Sequence, residues 1–335
     1  MAFSIDNAQK PWLIVITPIR NEAWVLDAFL TSTSSWADYI ILADQHSSDG
    51  SREIAAKYDK VVLVDNDLPE MNQAAARLVL FQEVDKIEGD KIVFALDADE
   101  FLSDSFENTT GWKRILESSP NEIYSFKWLN LYGDYGHSLP DLIYKEWAFH
   151  FESATNLAQE YSRCEKRSVH EMRVPCLPTD RARYVEIHDI RFVHLAGLNQ
   201  IRQGNKSAFY QVHTVANFSR RKSAVSLFRT YNPSRPKTIA LEQEALLNSP
   251  AVRNLVRSDD VGRYYIDEML TIFKREGLKK FLKLDIWDNP YLKAAGINPK
   301  LPLRYRLLHR YLRNTQKNSD KKIIKLVDKV LKMFV

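Results

Sequence analysis

At 335 residues, with 45% hydrophobic and 27% charged residues, the chain has room for one large domain or two ordinary ones and the composition of a folded globular protein. That excludes a disordered chain and a disulfide-stapled miniprotein. Net charge is +4, yet Leu301 to Val335 alone carry +8, so the body is slightly acidic and an anionic partner is expected only for the tail.

No apolar run approaches the roughly 18–20 residues of a membrane span, and the first ten residues carry neither a basic start nor an apolar signal core. A cytoplasmic protein is expected. The only cysteines, Cys164 and Cys176, are too few for a disulfide framework and lack zinc-ribbon spacing, so two reduced thiols are expected.

In chain order, Trp12 to Thr17, Tyr39 to Ala43, Val61 to Val64 and Lys91 to Leu96 are short, apolar and rich in β-branched residues, as strands buried on both faces must be. Helix-like stretches separate them at Glu22 to Thr31, Gly50 to Tyr58 and Glu70 to Ile87. This alternation predicts an α/β fold with a parallel sheet flanked by helices, whose ligands bind beyond the carboxyl ends of the strands. From Glu122 the texture turns aromatic and β-rich, expected to form a wall over that rim. Ile201 to Phe218 and most of the chain after Lys237 read as helices.

Polar residues gather at three strand ends: Thr17-Pro18-Ile19-Arg20-Asn21-Glu22, Asp44-Gln45-His46-Ser47-Ser48-Asp49-Gly50, and Asp97-Ala98-Asp99-Glu100. There is no GxGxxG and no GxxxxGK[ST], so a dinucleotide fold and a P-loop are disfavoured and any bound phosphate must be met by a metal and by Arg or Lys. Asp97 and Asp99, two apart after a buried strand, project to the same side and suit a hard divalent cation, Mn²⁺ or Mg²⁺. Asp49, before Gly-Ser-Arg-Glu, reads as a turn or cap residue, and Glu22 as a first-turn helix residue.

Together these three ordered motifs resemble the nucleotide-sugar half of family 2 glycosyltransferases with the GT-A fold, closely over about residues 11 to 105 and, through Val169-His170-Glu171, like bacterial envelope-type members. The resemblance implies a nucleotide-sugar-binding half at 1–120, an acceptor-side half at 121–236 and a helical extension at 237–335. It further implies a metal-dependent inverting transfer from a nucleotide sugar, expected to be a UDP-sugar, to a hydroxyl of a glycan or lipid-linked acceptor. Thr17 and Pro18 would border the nucleoside, Asp44 would accept from the base, and Arg20 and Arg77 would face the diphosphate. Asp97, Asp99 and His194 would hold the cation. Glu171 would be the base, with Asp189, Asp180 and Glu186 as its rivals. Arg202 and Lys206, four apart with Tyr210 on one helical face, would steady the departing pyrophosphate. A non-catalytic sugar-nucleotide binder and a sugar nucleotidyltransferase are the alternatives.

Asp320 to Val335 sets Ile323, Ile324, Val327, Val330, Leu331 and Phe334 on one helical face amid five lysines. Such a helix suits peripheral contact with an anionic membrane at its inner face, or docking on the protein itself; nucleic acid is not expected.

Overall fold

The computed structural model describes residues 10–68, 72–139, 144–164, 172–176, 181–217, 223–232, 238–241, 252, 255 and 260–334. The chain divides into two compact units, one of Met1–Leu198 with Ile239–Ser258 and one of Asn199–Thr238 with Asp259–Val335.

The first unit begins β1 (Trp12–Ile19), α1 (Ala23–Ser34), β2 (Tyr39–Asp44), α2 (Ser51–Ala55), β3 (Val61–Asp65), α3 (Gln73–Val84) and β4 (Lys91–Ala95). It continues with β5 (Glu100–Leu102), α4 (Thr110–Leu116), β6 (Glu122–Tyr132), β7 (Asp134–Ser138), β8 (Tyr144–Phe151), α5 (Leu157–Ser162) and β9 (Arg183–Gly197), and takes in β10 (Ile239–Ala240). Among the described residues the sheet runs β10-β7-β6-β8-β4-β1-β2-β3, and β9 pairs with β5 and β6. As expected, β1 is parallel to β2 and β4, and β2 to β3. Beyond β4 the sheet becomes mixed, with β8 antiparallel to both β4 and β6.

Strand alternation divides the core into two layers. Leu13, Val15, Ile40, Leu42, Ile92 and Phe94 pack with Val25, Leu26, Phe29 and Leu30 of α1. Ile14, Ile16, Ile41, Ala43, Val93 and Ala95 point the other way, onto Leu80, Phe81 and Val84 of α3 and Leu157 and Tyr161 of α5. Burial on both faces is why β1, β2 and β4 read as unbroken apolar runs; β3, expected to be buried likewise, is the edge strand and is only partly covered, with Val62 40% exposed.

One expectation is overturned here: Cys164 and Cys176 are not reduced thiols but a disulfide. The fold brings their Cα atoms within 5.5 Å, inside disulfide range, a proximity that sequence spacing does not reveal. The bond ties the segment 172–176 to the end of α5.

The second unit contains α6 (Gln200–Asn217), α7 (Ala224–Tyr231), α8 (Arg263–Glu276), α9 (Pro290–Ala294), α10 (Leu303–Thr315) and α11 (Lys322–Leu331). Among the described residues no helix is long and apolar enough to cross a membrane. Arg229 anchors α11. Its guanidinium forks onto both carboxylate oxygens of Asp328 at 2.9 and 3.1 Å, and its remaining N–H groups reach Gln316, Thr315 and the Leu312 carbonyl. Tyr311 adds a third bond to Asp328 at 2.9 Å.

Candidate active site at the end of strand β4

Two of the strand-end turns are stitched together by short polar side chains. Asn21, held at φ 55, donates its amide to Ser47 Oγ at 2.8 Å and accepts the Ser48 amide at Oδ1, also at 2.8 Å. Asp49 accepts the Ser51 amide and hydroxyl, and also the Ala23 amide at the start of α1. Its cap role therefore extends to two helices, consistent with the preference for carboxylates at helix starts. Gly50, at φ 96, supplies the left-handed residue that leads into α2.

The residues expected to border a nucleoside lie along this edge. Thr17 is fully buried with its hydroxyl lacking a hydrogen-bond partner, and Pro18 and Arg20 are half-buried. Asp44 is closed off from solvent, and its carboxylate accepts Arg52 Nη1 at 2.7 Å and the Ser47 amide. The same Arg52 nitrogen reaches Asp65, which is 59% exposed and so presents a carboxylate at the rim.

At the end of β4, Asp97, Asp99 and Glu100 put three carboxyl groups into one turn, where their mutual repulsion demands cations. Arg77, buried on α3, donates to Asp97 Oδ1 at 3.2 Å. Arg173 donates to Asp97 Oδ2 at 2.5 Å, to the Ala95 carbonyl and to both Glu100 oxygens. Burial pushes the Glu100 carboxyl above its usual value and Arg173 opposes that rise. Lys145 stands 3.2 Å from the centroid of the Trp128 ring, and burial lowers its ammonium pKa while Glu100 opposes the change.

His194 arrives from β9. Glu100 pairs with His194 in the β5–β9 ladder, and the β6–β9 register places Asn130 opposite the same histidine. His194 Nδ1 donates to Asn130 Oδ1 at 2.5 Å, which leaves Nε2 facing Asp99 Oδ2 at 3.4 Å. A histidine whose outer nitrogen is fixed this way has its inner nitrogen aimed as a ligand is. Asp99 and His194 thus present oxygen and imidazole donors of the kind a divalent cation takes. Among the described residues no group of three or more His, Cys, Asp or Glu side chains is assembled as a cage, because Asp97 is turned onto its two arginines.

The fold thus brings together Asp97, Asp99, His194 and Arg77. Of the candidate bases, Glu171 and Asp180 lie outside the described residues, and Glu186 is exposed on β9. Asp189 accepts the Thr110 hydroxyl at 2.7 Å and the Gly111 amide at 3.0 Å, at the start of α4. Burial raises its pKa, but these bonds outweigh burial and hold the carboxyl below its usual value. That lowered pKa gives stability which is present above the unfolded pKa and lost as pH falls through the folded one. Asp189→Asn should therefore cost a few tenths of a kcal/mol, at most about 1 kcal/mol, at pH 7, the range for an exposed carboxylate at a helix start, and nothing near pH 2. Urea melts at both pH values check this, and an equal loss at each would contradict it.

Arg202 and Lys206 belong to the second unit. There Arg202 is buried, pairs with Asp260 at 2.8 Å and lies over the Tyr265 ring, while Lys206 is half-buried. Sequence reasoning passed over Arg173, Lys145 and Asn130. A signal for Arg173 existed: three carboxylates following the apolar run Ile92–Leu96 require buried cations, and Arg173 follows Glu171 by two residues.

Residues 14–108 match the family described as Glycosyl transferase family 2. No curated protein matches the chain. Among solved structures, residues 1–349 of TarS from S. aureus align over 95% of this chain and 91% of that one, at 12% identity and TM-score 0.38. The mannosyl-3-phosphoglycerate synthase of Rubrobacter xylanophilus aligns over 36% of this chain and only 41% of its own length, at 18% identity and TM-score 0.28. The 4-diphosphocytidyl-2C-methyl-D-erythritol synthase of Anaerococcus prevotii aligns over 54% and 88%, at 14% identity and TM-score 0.35.

Proposed function

We propose, because residues 14–108 match the family described as Glycosyl transferase family 2, that the protein is a glycosyltransferase that moves a sugar with inversion from a UDP-sugar to a hydroxyl of a glycan or envelope polysaccharide. The observation that carries this reading is the convergence of Arg77, Arg173, Asp97, Asp99 and His194 at the end of β4. A divalent cation, Mn²⁺ or Mg²⁺, held by Asp99 and His194 with Asp97 beside it, would neutralise diphosphate charge. Arg77 and Arg173 would meet the same charge from the protein side, since a guanidinium stays ionised and pairs bidentately with phosphate oxygens. Arg20, Thr17 and Pro18 border the donor on this reading, and Asp44 fixes Arg52 beneath the base. Glu171 takes the proton of the acceptor hydroxyl as its oxygen bonds to the anomeric carbon and the carbon–diphosphate bond breaks.

Incubation with a panel of sugar nucleotides and Mn²⁺, read by mass spectrometry, tests this. Release of nucleoside diphosphate from one donor is the expected result; a panel left intact in the presence of cell-envelope glycans would refute it.

The tail supports a place at an anionic membrane surface. Asp328 fastens α11 to Arg229, yet Ile323, Leu326, Met333 and Phe334 remain 63–77% exposed, ringed by lysines. One face docks and the apolar face stays open, which combines the two expectations for this helix. Each Lys or Arg near an anionic surface contributes about 1 kcal/mol, so the tail suffices for reversible attachment. Binding to anionic liposomes should be strong at low salt, weak at high salt and absent in Ile323→Glu/Phe334→Glu, whose melting temperature stays unchanged because both side chains are exposed. Flotation that is equal for the variant and the native chain would rule the attachment out.

A further inference from the structure

The only two cysteines of the chain are joined to each other, and the segment they tie down, 172–176, carries the clamp of the acidic turn. Three residues before Cys176, Arg173 donates to Asp97, to the Ala95 carbonyl and to both oxygens of Glu100. Non-covalent ties help to hold the same segment: Tyr161 donates its hydroxyl to the Met172 carbonyl at 3.1 Å, and Val174 is buried in the core with Leu157 and Tyr161. The backbone of the turn registers what Arg173 does. Its Asp97 amide donates at 3.0 Å to the same Glu100 oxygen that Arg173 holds.

The first unit has a full two-layer apolar core, unlike the small domains that depend on cross-links, so a disulfide is not required here as a staple. What the bond adds is a restriction. With the cysteines 12 positions apart, breaking it returns conformational freedom to the stretch that carries Arg173, and a freer Arg173 spends less time on Asp97 and Glu100. Access to the two sulfurs is uneven: Cys176 is half-buried and Cys164 only 8% exposed, so the thiolate of a dithiol reductant meets Cys176 Sγ first. An S–S bond forms between reductant and Cys176 as the Cys164–Cys176 bond breaks. Cys164 leaves as the thiolate, with the Cys176 amide already donating to its sulfur at 2.9 Å. The reductant's second thiol then displaces Cys176 and closes a cyclic disulfide, so that two electrons and two protons pass from the dithiol to the cysteine pair.

We propose that the Cys164–Cys176 bond is a redox switch of the candidate active site: oxidised, it keeps Arg173 on Asp97 and Glu100; reduced by a dithiol, it frees the segment and loosens the acidic turn. The loosening rests on this geometry alone. Its consequence for donor binding rests on the transfer reading, and the two are measured separately.

The full chain is oxidised with oxidised glutathione, reduced with dithiothreitol and reoxidised, and free thiols are counted by alkylation and mass spectrometry. Hydrogen exchange of peptides spanning 172–176 and 97–100 is followed in each state, with Cys164→Ser/Cys176→Ser as the permanently open form. Expected results are no free thiol in the oxidised chain and two in the reduced one, exchange at least tenfold faster in both peptides on reduction, and recovery on reoxidation. The double variant should exchange like the reduced chain whether or not dithiothreitol is present; should it fail to fold, the redox cycle of the native chain decides alone. Calorimetry with UDP and Mn²⁺ should show binding at least tenfold weaker in the reduced state. The proposal is overturned if both thiols stay free under oxidised glutathione, if exchange at 97–100 is the same in both states, or if UDP binds equally well to both. Redox-dependent exchange in a chain that binds no UDP in either state upholds the switch and counts against the transfer reading alone.

Discussion

Replacing Asp99 by Asn should lower transfer by about 10³-fold or more while leaving the fold intact. The exchange keeps size and one hydrogen-bonding oxygen but removes the negative charge facing His194 Nε2 at 3.4 Å. A carboxamide is a poor ligand for a hard cation, and metal stabilisation of developing charge supplies several kcal/mol, at 1.36 kcal/mol per tenfold in rate. Calorimetry of UDP-sugar binding with and without Mn²⁺ separates the outcomes: the native chain should bind tighter with the metal, and the variant should show no difference. Chelation with EDTA should bring the native enzyme down to the variant's rate. Metal-dependent binding and full turnover in Asp99→Asn would remove Asp99 from the metal site.

Glu171→Gln should reduce turnover by about 10² to 10⁴, the usual range for loss of a general base, and leave donor affinity unchanged. Glutamine preserves shape but cannot take the acceptor's proton. Arg173, two residues on in sequence, is fastened to Asp97 and Glu100, so a substitution at 171 has a second route of action, through loosening that arginine. Steady-state kinetics therefore separates two roles: a base variant loses kcat at constant donor KM, whereas a variant that merely loosens Arg173 raises donor KM as well. Full activity in Glu171→Gln, with the loss appearing instead in Asp180→Asn or Glu186→Gln, would move the base.

What the sequence by itself determined was local. The parallel strands β1 to β4, the helices between them and the polar strand ends follow from short β-branched runs and helical periodicity, because each such segment can be buried in only one way. The acidic cluster at the end of β4 was legible as a motif, but the two-residue repeat did not fix its geometry: Asp97 and Asp99 lie in a turn, Asp97 on Arg77 and Arg173 and Asp99 facing His194. Tertiary structure decided which distant side chains meet them. His194 reaches Asp99 through a β5–β9 register between residues more than ninety positions apart, and Asn130 orients it through a second register on β6. Arg173 became the clamp of the acidic turn, Asp44 was committed to Arg52, and Asp189 to the start of α4. The Cys164–Cys176 bond belongs to the same class. Each is a choice of partner for a buried charge, amide or thiol, and burial makes the choice obligatory while pairing register, which no short motif encodes, selects the partner.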